Sequence, residues 1–213
     1  HGFLNTLEHG VTRMADALTS FVLLYLLAPE MFSKLAWAQA FVAPFLIAFL
    51  APETVLYRDY AKWMADGPRK FYARFKALQY FSWSKLIVGL GLSALLAFFV
   101  PGSDSWNIRF YSLVWAFSLS LAPQFCGTDR EFLRINLNLR SLNLLTLFQK
   151  ITLFGGVIFV ANLYPQRIDL LAWSAASSAL LTAALAWLVS GYVLFKARAF
   201  DEPKNHEHLP SYL

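Results

Sequence analysis

The chain has 213 residues, 58% of them hydrophobic and 15% charged, with a mean hydropathy of +0.49 and a formal net charge of +5. That apolar fraction lies above the roughly 45–50% of soluble domains, which excludes a water-soluble globular protein and points to an integral membrane protein. The lone cysteine, Cys126, excludes an internal disulfide framework. The basic residues lie between apolar runs rather than in one tract, so their excess reads as membrane topology and not as nucleic-acid binding.

Six membrane-spanning helices are predicted, at about 3–28, 31–52, 78–100, 107–126, 141–163 and 168–195, together a transmembrane domain over 1–197. A polar tail, 198–213, follows and carries His206 and His208. The first span is two-faced. Asn5, Glu8, His9, Thr12, Arg13, Asp16, Thr19 and Ser20 fall within an arc of about 140°, opposite Leu7, Val11, Met14 and Leu18. Glu8, Arg13 and Asp16 interrupt any signal-peptide core. A spanning helix with ionisable groups on one face lines a polar cavity or pairs with other helices. This polar face is the organising feature of the reading, with the remaining spans as cavity walls. His9 could titrate near neutral pH, and a hydrogen-bonding role is the plainer alternative.

Pro29 closes the first span, Pro44 and Pro52 fall in and near the end of the second, and Gly67-Pro68 marks a turn in the connection that follows. That connection is expected to start as a helix continuing from Pro52 into water, and it alternates Tyr57, Tyr60, Trp63, Phe71, Tyr72, Phe75, Tyr80 and Trp83 with basic residues, a composition suited to a membrane interface. It is expected to be a surface anchor or a docking surface for an anionic lipid-linked molecule. Arg58 is expected at the interface, and Lys85 is expected to snorkel to the headgroups. Gly89 and Gly91 in the third span, and Ala175, Ala179 and Ala183 with Ser174, Ser178 and Thr182 in the sixth, predict close helix packing.

The fifth span repeats the polar theme with Asn136, Arg140, Asn143, Thr146 and Lys150. Lys150 is placed near mid-bilayer, either in an ion pair with Glu8 or Asp16 or as a cationic site for an anionic ligand. The lysines and arginines concentrate in the 53–85 and 126–150 segments and the tail from 196, whereas Lys34, Arg109 and Arg167 sit at the short opposite loops. The positive-inside rule then puts both termini in the cytoplasm. No HExxH, P-loop or GxSxG pattern occurs, so no enzymatic activity, cofactor or metal is expected.

The runs Thr12–Ser20, Leu26–Phe32, Leu35–Ala40, Glu53–Tyr60 and Phe132–Ala161 resemble polysaccharide flippases of the multidrug/oligosaccharidyl-lipid/polysaccharide exporter superfamily. The resemblance implies an all-α membrane protein, one six-helix lobe of an architecture that has two, in a bacterial inner membrane. It implies flipping of a lipid-linked saccharide or similar anionic amphiphile by alternating access, with a second copy or partner supplying the other lobe. The cavity candidates are Glu8, His9, Arg13, Asp16, Arg140, Asn143 and Lys150, with Arg13, Arg140 and Lys150 set to meet a phosphate. A coupling ion, H+ or Na+, is left open. The alternative is a non-transporting scaffold subunit whose polar stripes are buried against a partner.

Overall fold

A computed structural model describes residues 10, 14, 17–48, 52–100 and 104–200. Among them the chain is all-helical, and proline and glycine set most of the boundaries. Helix α1 (Ala17–Leu26) ends just ahead of Pro29, which opens α2 (Pro29–Val42) at a position where a missing N–H costs nothing. Pro44 cannot continue an α-helical ladder, and the chain tightens there into a 3₁₀ helix over Ala43–Ala48. Pro52 opens α3 (Pro52–Ala65). Gly67, at φ 99°, takes a backbone conformation that side chains oppose, and Pro68 then starts α4 (Pro68–Phe99).

Helix α5 (Trp106–Phe125) is followed by the short α6 (Gly127–Ile135), α7 (Leu139–Leu163) and α8 (Ile168–Phe200). The α6–α7 corner is a paired-bond C-cap. Asn138 N–H reaches Leu133 O at 2.8 Å and Leu137 N–H reaches Arg134 O at 3.0 Å, with Leu137 left-handed at φ 54°. Asn138 then caps α7, its side chain accepting from Ser141 N–H.

Three helices, α4, α7 and α8 as far as Lys196, are long and apolar enough to cross a membrane. Their outward residues, among them Ile87, Phe99, Ile151, Phe159, Leu181 and Phe195, are exposed, as suits contact with lipid. Helix α5 is the hub, packed against α2, α4 and α8. Its residues Ser112–Ser118 are all buried, a run that covers the helix on every side. Helix α8 also packs on α7. The small-residue stripe predicted for α8 is buried at Ala175, Ser178, Ala179, Thr182 and Ala183, and α7 approaches closely enough that a Cβ on Gly156 would stand 2.7 Å from Ser174 Oγ. Gly89 packs on Leu121 and Phe117 as expected for a packing glycine, whereas Gly91 faces open space.

Two features differ from the sequence expectation. Helix α4 starts at Pro68, ten residues before the expected third span, because the Phe71 and Phe75 spacing continues the same buried stripe. The connection after the fourth span holds a helix of its own, α6; with α3, the helix expected after Pro52, it closes an apolar cluster of Leu56, Phe71, Phe75 and Phe132.

Candidate functional site

The polar face of the first span lies mostly outside the described residues, including Glu8, His9, Arg13 and Asp16. Of that face, Thr19 is buried and Ser20 exposed, while Met14, Leu18 and Phe21 are exposed. On α7 the packed stripe is Leu142, Leu145, Thr146, Gln149, Leu153 and Val157. Asn143 and Lys150 flank it, half-buried, and Arg140 is exposed at the helix start. The polar residues of α7 that turn inward are therefore Thr146 and Gln149. Arg130 of α6 donates to both, to Thr146 Oγ1 at 2.9 Å and to Gln149 Oε1 at 3.3 Å. One turn on, Thr152 and Ser178 join α7 to α8 through their hydroxyls at 2.8 Å.

Arg58 is exposed and forks onto its neighbour Asp59, at 3.0 Å and 2.8 Å. Lys85 corrects the sequence reading. It does not snorkel but is buried, its ammonium donating to Gln124 Oε1 at 3.3 Å under the electrostatic influence of Glu53. The cause is its place on the buried stripe of α4, between Ser82 and Gly89, which aims the side chain at the bundle interior. Glu53 approaches Gly127 so closely that a Cβ there would stand 3.0 Å from Oε2, and the carboxylate would have to give way by a few tenths of an ångström.

A polar centre that the sequence reading missed sits where α4, α6 and α8 meet. Asp129, wholly buried, accepts from Gln79 Nε2 and from Ser190 Oγ, the latter at 2.5 Å. Beside it Ser82 and Thr128 share a hydrogen bond at 2.8 Å. Burial pushes the Asp129 carboxyl above the usual carboxylate range, against the hydrogen bonds from Ser190 and Gln79 and the charge of Lys76. The signal was present: Phe71, Phe75, Gln79, Ser82, Lys85, Gly89, Ser93 and Ala97 recur at helical spacing and are all buried. Read as an interfacial anchor, the segment concealed that its polar members share a face with its phenylalanines.

Open grooves flank the bundle. One of about 590 Å³ lies between the start of α7 and the later part of α8, lined by Asn138, Ser141, Leu188, Val189, Tyr192, Val193 and Lys196. Another, about 350 Å³, lies between α2 and α5 and holds the Lys34–Asp104 ion pair, 2.7 Å. There Arg109 donates to Val100 O and so caps the end of α4. Among the described residues no three His, Cys, Asp or Glu side chains gather as a metal set. Compared with protein-family models, characterised proteins and solved structures, the chain matches none of them.

Proposed function

We propose that this chain moves an anionic amphiphile, of the type of a lipid-linked saccharide, between membrane leaflets, as one lobe working with a second copy or a partner chain. The observation that carries the reading is the α7–α8 groove. Leu188, Val189 and Val193 offer walls for an acyl or prenyl chain, and Lys196, Asn138 and Ser141 offer a cation and hydrogen-bonding groups to a phosphate. Along the flank of α7, Asn143 and Lys150 lead from that polar end toward the middle of the helix. In this proposal α1, α2 with its 3₁₀ extension, α4, α5, α7 and α8 are six crossings. Helices α3 and α6 lie at the cytoplasmic face, where the basic residues concentrate, and both termini are cytoplasmic.

The test is reconstitution into liposomes containing a fluorescent prenyl phosphate, with a membrane-impermeant reductant to bleach the outer leaflet. The protein should render the inner-leaflet pool bleachable. Lys196→Met combined with Ser141→Leu removes charge-assisted hydrogen bonds of about 1.5–3 kcal/mol and should slow exchange about tenfold or more. Exchange no faster than in empty vesicles overturns the proposal.

A second reading, a structural membrane subunit, is favoured by the way inward polar groups are tied off in pairs, Arg130 to Thr146 and Gln149, and Thr152 to Ser178. Its mark would be stable co-purification with unrelated membrane chains, together with absent lipid exchange.

A further inference from the structure

Asp129 is completely buried, yet only half of its carboxyl group is satisfied. Oδ1 accepts from Gln79 on α4 and from Ser190 on α8, while Oδ2 is buried and meets no hydrogen-bond partner among the described residues. Gln79 has the matching defect. Its Nε2 donates to Asp129 Oδ1 and, at 3.2 Å, to Ser190 Oγ, but its own Oε1 is buried without a donor. An ionised Asp129 cannot repair either defect, because a carboxylate oxygen and an amide oxygen are both acceptors. A single proton on Oδ2 repairs both. It turns one orphan acceptor into a donor on a side chain already bonded to Gln79, and it removes an anion from an apolar interior where unsatisfied polar groups are costly.

We propose that Asp129, Gln79 and Ser190 form a proton-binding site joining α4, α6 and α8, with Asp129 held as the neutral acid and its Oδ2–H donated to Gln79 Oε1. The charged groups around it do not favour the anion enough to reverse this. Lys76 of α4 is the cation that acts on Asp129, and its ammonium lies 4.4 Å above the Trp187 ring. On α6, Arg130 is turned to Thr146 and Gln149 of α7, and the Cys126 thiol at the α5–α6 junction is buried. Glu53 of α3 packs against Gly127, two residues before Asp129. Lys85 of α4 donates to Gln124 and feels the charge of Glu53, and α8 presents Ser190. The direction in which burial moves the carboxyl agrees with the geometry. Gln79 also borders a cavity of about 240 Å³ walled by Tyr80, Trp83 and Trp187. This inference does not depend on the transport proposal.

Infrared spectroscopy of the intact protein in detergent, with aspartate carrying carbon-13 in its carboxyl, tests it directly. At pH 6 to 7 the exposed aspartates are ionised, so a protonated-carboxyl stretch that shifts with the label should be present in the wild type and absent in Asp129→Asn. Should Asp129→Asn fail to fold, Ser190→Ala, which removes one donor to Oδ1, should displace the frequency of that same stretch. Absence of the stretch in the folded wild type overturns the proposal, as does its persistence in Asp129→Asn or its indifference to Ser190→Ala. An ionised carboxyl with a thermal midpoint that rises in sodium chloride over choline chloride overturns it in favour of a cation site.

Discussion

Arg130 satisfies two acceptors on the neighbouring helix, Thr146 Oγ1 and Gln149 Oε1, so its loss strands buried groups as well as removing a charge. Hydrogen bonds to charged donors contribute about 1.5–3 kcal/mol. Arg130→Met should lower the stability of the solubilised protein by about that amount in thermal unfolding, and adding Gln149→Leu should recover part of the loss. Two aspartates should respond to pH with opposite sign. Asp66 is held below its usual value of 3.8 by the hydrogen bond and charge of Arg74, so its contribution is present above that value and is lost on acidification. Asp129 is pushed upward by burial, so stability should fall as pH rises from the ordinary carboxylate range to its folded value, then level off. Profiles of the thermal midpoint against pH for Asp66→Asn and Asp129→Asn check both signs, and the descending limb should vanish only in Asp129→Asn. Lys85 and Asp129 also show where reading by residue type fails. A lysine near a predicted helix end and an aspartate in a predicted loop look solvated until the stripe that carries them is traced through the whole helix.

At the level of the helices, most boundaries were legible, since Pro29, Pro52 and Gly67-Pro68 act through local sterics that need no tertiary information. Helix α6 was not. Its nine residues are too short to display a span and too polar to suggest one, and it takes its place by packing Phe132 on Phe71 and Phe75, with ring centroids 6.1 and 4.8 Å apart. Its terminal motif puts Leu137 where glycine or asparagine ordinarily sits, and a left-handed conformation costs a branched side chain about 1–2 kcal/mol. Leu137 is also exposed, so little packing is forfeited on replacement. Leu137→Asn should therefore raise the unfolding midpoint, by up to about 1 kcal/mol of stability. Gly156 should show the reverse. Ser174 Oγ can rotate away from a methyl group, but Gly156→Leu must push α7 from α8 and cost about 1–3 kcal/mol, a loss that Ser174→Gly should partly relieve.

For the whole molecule, hydropathy disclosed helices built for a bilayer, whereas the buried polar centre joins three helices far apart in sequence, so the stripe of α4 could show its own polar members but not their partners Asp129 and Ser190. The topology proposal has a direct check, made simple because the native Cys126 is buried. Cysteines placed at Ser105 and Gln166 should react with an impermeant maleimide added outside cells, and one at Lys70 should react only after lysis. The opposite pattern overturns the assignment of sides. A mechanical consequence follows from the composition of α8. Between Leu171 and Leu194 its buried face is made of Ala172, Ala175, Ala176, Ala179, Ala183 and Ala186, with short hydroxyl side chains between them. Such a face lets the neighbouring backbones approach closely, and Leu185, Val189 and Val193 add larger packing groups toward its later part. Two hydrogen-bonded notches then set its register: Ser178 on Thr152 midway, and Ser190 on Asp129 near one end. Release of the second would untie the later part of α8 from α6 while the Ser178–Thr152 link still fastens its middle to α7, so that a change at Asp129 would loosen one end of the helix and not the other.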